Sequence, residues 1–208
     1  MGGRGSWSES SETYTPNPGG GNGGGGEPEN TLGPRIPETL AEALGERGRP
    51  MGMARASEGT NPHYDGSYDA YSSNCQRCVL AYEARRRGYD VTALPTYYGD
   101  LLPSGRDYLK ALSNPEVVHV GKSVRRIEAQ LKQYGPGSRS IIAVSKASGK
   151  GHVFIAENVG GKITYIDPQT NSRYSKLSLA SVSSADVIRI DNQDFTEYAR
   201  NAFTRQKV

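Results

Sequence analysis

The chain has 208 residues, with 25 basic and 22 acidic side chains and a formal net charge of +3, a balance that does not by itself favour nucleic acid as a partner. Its start lacks the apolar core of a signal peptide and no apolar run is long enough to span a membrane, so we expect a soluble protein with no membrane partner. Two cysteines three positions apart cannot form the disulfide framework of a small secreted domain, so we expect both thiols to be reduced.

The first 62 residues divide into two segments by composition. Residues 1–34 consist mainly of Gly, Ser, Pro, Asn, Thr and Glu, which leaves almost nothing to bury and predicts a disordered leader. Residues 35–62 are predicted to be a linker with one short helix, because Leu40 and Leu44 are four positions apart and Gly45 suits the helix end. This helix either docks on the following domain or stays loose.

From residue 63 to residue 208 the composition is that of one packed domain. The predicted elements are, in chain order, helices over 75–88 and 124–134, with a brief strand at 117–120 between them, then strands over 138–145, 152–158, 162–167 and 186–191, and a terminal helix over 194–201. Helices come first and antiparallel strands afterwards, which indicates an α+β fold rather than an alternating α/β fold.

Cys75 begins the first helix of this domain, and the spacing of Cys75, Cys78, Val79 and Tyr82 at i, i+3, i+4 and i+7 predicts one buried face of that helix. The free N–H groups and the positive dipole end of a helix start stabilise a thiolate, which is the reactive form of cysteine. An isolated cysteine is more often a small buried hydrophobe, and we assign that structural role to Cys78, one turn deeper on the same face. The role of Cys75 therefore depends on whether a base and an orienting group lie elsewhere in the chain.

The C-x-x-C spacing of the two cysteines also suggests redox or zinc chemistry. A thioredoxin-like site would follow a strand in a βαβ unit, and no strand is predicted before the first cysteine. A zinc site would need two further ligands, but the three histidines, His63, His119 and His152, are scattered along the chain. We therefore expect no metal and no cofactor, with His63 at the surface and His119 as a satisfied strand residue.

The predicted hairpin that follows His152 brings this histidine close to an acid. If Gly160 and Gly161 are the two turn residues, His152 lies opposite Gln169 and one diagonal step from Asp167. A loop longer by two residues would place His152 directly opposite Asp167. Both registers leave His152, Asp167 and Gln169 on one face, because a two-residue shift preserves the alternation of side chains, whereas a one-residue slip would separate them.

These residues form a candidate Cys-His-Asp triad. Asp167 can hold the His152 ring in one tautomer, and an oriented imidazole can activate the Cys75 thiol for attack on a carbonyl carbon. The backbone N–H of Cys75 is the candidate first donor to the resulting oxyanion, and Asn74 or a neighbour is the candidate second. Gln169 could assist or replace Asp167, because an Asp before Pro is also a common turn starter.

The one dense basic run is Arg85-Arg86-Arg87, at the end of the first predicted helix. We interpret it as a solvated helix C-terminus, where cations interact favourably with the dipole. Nucleic acid is therefore not expected as a partner.

Four short blocks carry a family resemblance: NCQRCV at 74–79, RGYDVTALP at 87–95, GHVF at 151–154 and YIDPQT at 165–170. In this order they resemble the papain-fold toxin domains of the glutamine-deamidase type, which occur in bacterial polymorphic toxins and phage-associated proteins. The resemblance covers about residues 63–192. It implies a papain-like cysteine hydrolase fold, in which the nucleophile helix packs on an antiparallel sheet.

The resemblance also assigns roles to residues. It implies that Cys75 is the nucleophile, His152 the base and Asp167 the group that orients the base. No Gln precedes Cys75 in the chain, so an upstream glutamine of the papain kind cannot complete the oxyanion hole.

The expected function is that of a cysteine-dependent glutamine deamidase, acting on side-chain carboxamides of a protein substrate as a toxin or effector domain. A papain-like cysteine peptidase is the first alternative, and acyl transfer shares the same thioester intermediate. A non-catalytic binding or structural module of a phage particle is the alternative that is not an enzyme. An immunity protein and a phage or secretion assembly are further candidate partners. The location of the protein is not predicted: it is either delivered into a target cell or associated with a phage.

Overall fold

A six-stranded antiparallel sheet carries a helix on each face, and the longer of these helices begins at Cys75. The structure is a computed structural model that describes residues 35–67, 70–96, 105–146 and 151–206. The leader predicted for residues 1–34 lies outside the described residues. Helices precede a run of antiparallel strands, so the predicted α+β class is confirmed.

The described residues contain four α-helices, two 3₁₀ turns and eight strands. The helices are α1 (Leu40–Leu44), α2 (Met53–Glu58), α3 (Cys75–Arg86) and α4 (Val124–Tyr134), and the 3₁₀ turns are Asp107–Ala111 and Glu197–Asn201. The strands are β1 (Val91–Ala93), β2 (Val117–Gly121), β3 (Arg139–Lys146), β4 (Gly151–Val159), β5 (Lys162–Asp167), β6 (Ser172–Tyr174), β7 (Val182–Arg189) and β8 (Phe203–Arg205). Within the described part of the chain, no helix has the length and apolar character needed to cross a membrane.

The large sheet has the strand order β2-β7-β3-β4-β5-β6, and every neighbouring pair is antiparallel. A separate two-stranded ladder joins β1 to β8. Strands β1, β6 and β8 were not among the predicted elements, since three residues are too few to show an alternating pattern. The predicted terminal helix is a 3₁₀ turn at Glu197–Asn201.

Side-chain alternation along the strands gives the sheet two apolar faces. One face packs against α3 through inward-facing residues that include Ile141, Val153, Ile155, Ile166 and Ile188. The other face packs against Ile127 and Leu131 of α4 through residues that include Ile142, Phe154, Ala156, Tyr165 and Val187. Consecutive residues of β4 therefore belong to different cores, as the two-residue period of a strand requires.

Helix α3 is buried along most of its length. Residues 77–85 are all buried, because α2, β1, β4, β8 and the first 3₁₀ turn contact the helix from several sides. The prediction of a single buried face was therefore too narrow. Gly88, with φ of +105°, follows the helix, and a Cβ at this position would lie 2.5 Å from the Gly48 carbonyl oxygen, so only glycine fits the turn.

The basic run at the end of α3 is anchored to the protein, so its interpretation as a solvated terminus is wrong. Each arginine pairs with a carboxylate: Arg85 with Asp90 at 2.6 Å, Arg86 with Glu157 at 2.8 Å, and Arg87 with Glu83 at 2.8 Å. The side chains of Glu83 and Glu157 are 0% and 3% exposed. Buried carboxylates need charged partners, and these two draw the guanidinium groups onto the domain.

The segment 35–62 packs against the rest of the described chain through α1 and α2. The Thr39 side chain caps α1 by accepting the N–H of Glu42 at 3.1 Å, and α1 contacts β8 and the second 3₁₀ turn. Ala43 of α1 and Ala56 of α2 are both 0% exposed. The short helix predicted here is therefore docked, and α2 is a second helix that was not predicted.

Candidate active site

Cys75 is the first residue of α3, directly after its N-cap residue Asn74. The thiol hydrogen-bonds to the ring of His152 and to the backbone N–H of Val153. Cys75 is partly exposed, whereas Cys78 is completely buried. The more exposed of the two cysteines therefore lies at the helix start, where the backbone N–H groups and the helix dipole favour an anion.

The hairpin of β4 and β5 has the two-residue turn predicted from its glycines. Gly160 and Gly161 have φ of +59° and +92°, as a type I′ turn requires at both positions. Val159 pairs with Lys162, which is the first of the two registers considered. The first register is therefore confirmed over the paired residues, from Ile155 opposite Ile166 to Val159 opposite Lys162.

This register brings His152 and Asp167 together. Continued along the strands, it places His152 opposite Gln169 and diagonally next to Asp167. His152 Nε2 and Asp167 Oδ2 lie 3.0 Å apart. The expected placement of the histidine and the acid on one face is confirmed, and the ring nitrogen left for the thiol is Nδ1.

Cys75 meets His152 at an edge of β4 that β5 leaves open. The β4–β5 ladder ends at Ile155, so the first four residues of β4 extend beyond it. The His152 ring shares the face of Phe154, with ring centroids 6.2 Å apart, whereas α3 packs on the opposite face together with Val153. The thiol and the imidazole thus approach from different faces and meet beyond the end of the ladder.

The electrostatics of this contact favour a thiolate beside an imidazolium. Burial by itself raises the pKa of Cys75, but the hydrogen bond and charge of His152, with the N–H of Val153, outweigh burial and lower the pKa of the thiol. Burial likewise acts to lower the pKa of His152, but the Asp167 carboxylate, aided by Cys75, raises it to about 10. Between these two pKa values the thiol is ionised and the ring is protonated, which is the state that a cysteine nucleophile requires.

Cys78 has the opposite environment. Burial raises the pKa of its thiol well above the ordinary value, and the negative charges of Cys75 and Asp167 add to the effect. Its Sγ–H donates to Asn74 Oδ1 at 3.3 Å. This environment fits the structural role predicted for Cys78.

Asp167 combines the two roles that were considered for it. One carboxylate oxygen faces the His152 ring, and the other accepts the backbone N–H of Gln169 at 3.1 Å. The second contact is the turn that an Asp before a Pro commonly starts. The turn therefore orients the carboxylate toward the ring.

Asn74 and Gln169, proposed as oxyanion or orienting residues, contact each other. Gln169 Nε2 donates to Asn74 Oδ1 at 3.2 Å. Asn74 Nδ2 donates to Asn61 Oδ1 and to the Leu94 carbonyl, each at 3.1 Å. Both N–H bonds of Asn74 Nδ2 are thus engaged within the protein, which leaves this side chain no donor for an oxyanion.

Asn61 is the residue of this group that the sequence did not single out. It is 7% exposed and contacts both Asn74 and the backbone of Gln169. In the sequence it precedes Pro62, which suggests only a turn. Its partner Gln169 lies 108 residues further along the chain, so no local signal indicates the contact.

The other two histidines lie on separate contacts. His63 is exposed, with its ring centroid 5.1 Å from that of Tyr71. His119 Nδ1 lies 2.7 Å from Asp186 Oδ1 on the neighbouring strand, which is the satisfied strand position predicted for it. Among the residues that the structure describes, no three or more His, Cys, Asp or Glu side chains are grouped as metal ligands.

Residues 73–172 match the family model described as papain fold toxin 1, glutamine deamidase. The match includes Cys75, His152 and Asp167, whereas Asn61 lies before it. No curated protein sequence shows significant similarity to the chain.

Proposed function

Since the chain carries a papain-fold toxin domain of the glutamine-deamidase type over residues 73–172, we propose that it is a cysteine-dependent amidohydrolase that converts glutamine side chains of a target protein to glutamate. The observation that most directly supports this proposal is the contact of the Cys75 thiol with the His152 ring, whose other nitrogen faces Asp167. In the proposed mechanism Cys75 is the nucleophile, His152 the general acid and base, and Asp167 the orienting group.

In the first half-reaction the Cys75 thiolate attacks the carbon of the side-chain carboxamide. A C–S bond forms and the carbonyl oxygen becomes an oxyanion, which the backbone N–H of Cys75 at the start of α3 stabilises. The His152 imidazolium then gives its proton to the departing nitrogen. The C–N bond breaks, ammonia leaves, and a thioester remains on Cys75.

In the second half-reaction water replaces ammonia. Neutral His152 takes a proton from the water as its oxygen attacks the thioester carbon. The C–S bond breaks, which restores the thiolate beside the imidazolium and releases a glutamic acid side chain. That acid loses its proton to solvent at neutral pH.

Mass spectrometry of candidate target proteins tests the proposal. Targets are incubated with the wild-type protein, with the Cys75→Ala variant and with a His119→Ala variant, which replaces a histidine whose side chain is 69% exposed. We expect peptides in which one Gln has become Glu, with release of ammonia, for the wild type and His119→Ala only. Unchanged target peptides in the presence of the wild type would contradict a deamidase.

The same spectra separate the other reactions of a thioester enzyme. New protein termini would identify a cysteine peptidase, because the acyl group would then come from the main chain. A Gln side chain joined to an amine would identify acyl transfer. Unchanged targets together with slow alkylation of Cys75 by iodoacetamide would identify a non-catalytic module.

As a toxin or effector domain, the proposed enzyme would have a protein target and an immunity protein as partners. We expect an immunity protein that acts on this site to cover Cys75, which is partly exposed. Its binding should therefore slow alkylation of Cys75. A partner that neutralises the activity without changing this rate would bind elsewhere.

A further inference from the structure

The side chain of Asn61 lies where three segments of the active site meet. Asn61 Nδ2 lies 3.0 Å from the Gln169 carbonyl oxygen and 3.0 Å from the Tyr71 carbonyl oxygen. Asn61 Oδ1 accepts from Asn74 Nδ2 at 3.1 Å. One side-chain amide thus joins the loop after β5, the loop before α3 and the N-cap of α3.

Two of these partners are directly connected to the proposed triad. The backbone N–H of Gln169 donates to Asp167 at 3.1 Å, and the side chain of Gln169 donates to Asn74 at 3.2 Å. Asn74 is the residue before Cys75. Asn61 therefore contacts both the residue before Cys75 and the residue two positions after Asp167. None of the described contacts joins Asn61 directly to Cys75, His152 or Asp167.

The backbone on the N-terminal side of Asn61 is itself held in place. The Thr60 hydroxyl donates to the Ala56 carbonyl at 2.7 Å, which ties this residue to the end of α2. The Thr60 carbonyl accepts the N–H of Ala93 in β1 at 2.8 Å. Thr60 is 0% exposed, and both its hydroxyl and its carbonyl are hydrogen-bonded. The backbone next to Asn61 is therefore held in one position.

Loss of the buried Asn61 side-chain amide should disturb several contacts of the active site at once. Its removal would leave the buried Gln169 carbonyl oxygen and the partly buried Tyr71 carbonyl oxygen without this donor, and Asn74 Nδ2 without one acceptor. The loops that carry Asp167 and Cys75 could then move relative to each other. A misplacement of about 1 Å in a catalytic group can reduce a rate by roughly 100-fold.

We propose that Asn61 is a positioning residue for the Cys75–His152 pair, so that the working active site includes a residue that precedes the matched family domain. The part of this inference that concerns the catalytic rate rests on the proposed function. It goes beyond that function by making the segment before residue 73 part of the active-site framework rather than a linker. Asn61 acts through Asn74 and through the loop that carries Asp167.

The test compares Asn61→Ala with Asn158→Ala in the full-length chain. Asn158 is a matched control, because it is also a buried asparagine, at 2% exposure, with Nδ2 bonded to the Leu131 carbonyl at 3.0 Å and Oδ1 to the Gly161 N–H at 2.8 Å. It lies at the turn end of β4, away from the end that carries His152. Both variants should lose thermal stability to a similar extent.

Two readouts separate positioning from stability. The first is the pH midpoint of Cys75 alkylation, followed on the tryptic peptide that ends at Arg77 and thus excludes Cys78. We expect the midpoint to rise in Asn61→Ala, because a looser His152 contact no longer lowers the pKa of the thiol, and to stay unchanged in Asn158→Ala. The second is deamidation, with kcat reduced roughly 10- to 100-fold in Asn61→Ala and KM little changed.

An alkylation midpoint in Asn61→Ala that equals the wild-type value would overturn the proposal and leave Asn61 a structural residue. If no target is deamidated by the wild type, the proposed function fails, but the alkylation midpoints still decide the role of Asn61. If Asn61→Ala does not fold, Asn61→Ser, which retains one donor in a smaller side chain, replaces it in the same measurements.

Discussion

The Asp167 carboxylate faces the His152 ring with one oxygen at 3.0 Å and accepts a backbone N–H of its own loop with the other. The turn at the end of β5 thus fixes the direction of the carboxylate, and the carboxylate fixes the direction of the ring. Because the negative charge of Asp167 acts on a partly buried ring, it also sets the protonation state of His152. Removing the charge without changing the shape of the side chain isolates this second effect.

The Asp167→Asn variant should therefore lose activity at high pH first. The amide keeps the size of the side chain but no longer stabilises the imidazolium, so the pKa of His152 should fall from about 10 toward its ordinary value of 6.5. The alkaline limb of the kcat/KM profile should move to lower pH by the same amount. A limb that stays in place would show that Asp167 does not control the charge of the ring.

In the wild type, the rate of Cys75 alkylation by iodoacetamide should follow the ionisation of a thiol whose pKa lies below its ordinary value of 9.0. The pKa of the thiol is lowered because the positive His152 ring favours the thiolate. The thiolate therefore stays populated at a pH where an ordinary thiol is protonated. The rate should rise as the pH increases through the lowered pKa. Cys78, whose pKa burial raises, should remain unmodified under the same conditions.

The His152→Ala variant should lose both the base and the low pKa of the thiol. Burial remains and acts to raise the pKa of Cys75, so alkylation at neutral pH should slow markedly. Loss of general acid–base catalysis should reduce kcat by roughly 100- to 10,000-fold. His119→Ala serves as the control, and an equal loss of activity in that variant would contradict the assignment of the base to His152.

The stability of the domain should depend strongly on the buried carboxylate of Glu83. This side chain is 0% exposed and pairs with Arg87 at 2.8 Å and Arg139 at 2.6 Å, so Glu83→Ala removes the carboxylate that both guanidinium groups share and should cost about 3–5 kcal/mol of unfolding free energy. Urea unfolding followed by circular dichroism measures this loss.

Glu38→Ala is the matched comparison for Glu83→Ala. The Glu38 side chain pairs with Arg35 at 2.7 Å, but the side chains of Arg35 and Glu38 are 69% and 78% exposed, so removal of Glu38 should cost at most about 1 kcal/mol. Similar losses in the two variants would show that burial does not set the strength of these ion pairs.

Local features of the sequence predicted the part of the site that lies on one hairpin. Gly160 and Gly161 indicate the turn, and the two-residue period of a strand then places His152 and Asp167 on one face. The helix start at Cys75 was equally visible, since the apolar spacing that follows it is local. Each prediction succeeds because the residues it uses lie within a single local unit, the β4–β5 hairpin in one case and α3 in the other.

The packing of α3 was not predictable from the same signals. A helix with polar residues on several sides predicts one buried face, yet other elements contact α3 from several sides. At its end, Glu83 and Glu157 pair with Arg87 and Arg86. Glu83 and Asp90 are close to these arginines in the sequence, but nothing local indicates that Glu157, 71 residues away in β4, will pair with Arg86.

The chain by itself therefore determined the hairpin register and the position of Cys75 at a helix start, because strand alternation and helix periodicity are local properties. Tertiary structure alone decided that the thiol meets the ring where the β4–β5 ladder ends, and that Asn61 joins Asn74 to the backbone of Gln169. Both contacts join segments that are 77 and 108 residues apart in the chain, from residue 75 to residue 152 and from residue 61 to residue 169. Contacts over such separations depend on how the elements pack in three dimensions, which no local pattern of residues encodes.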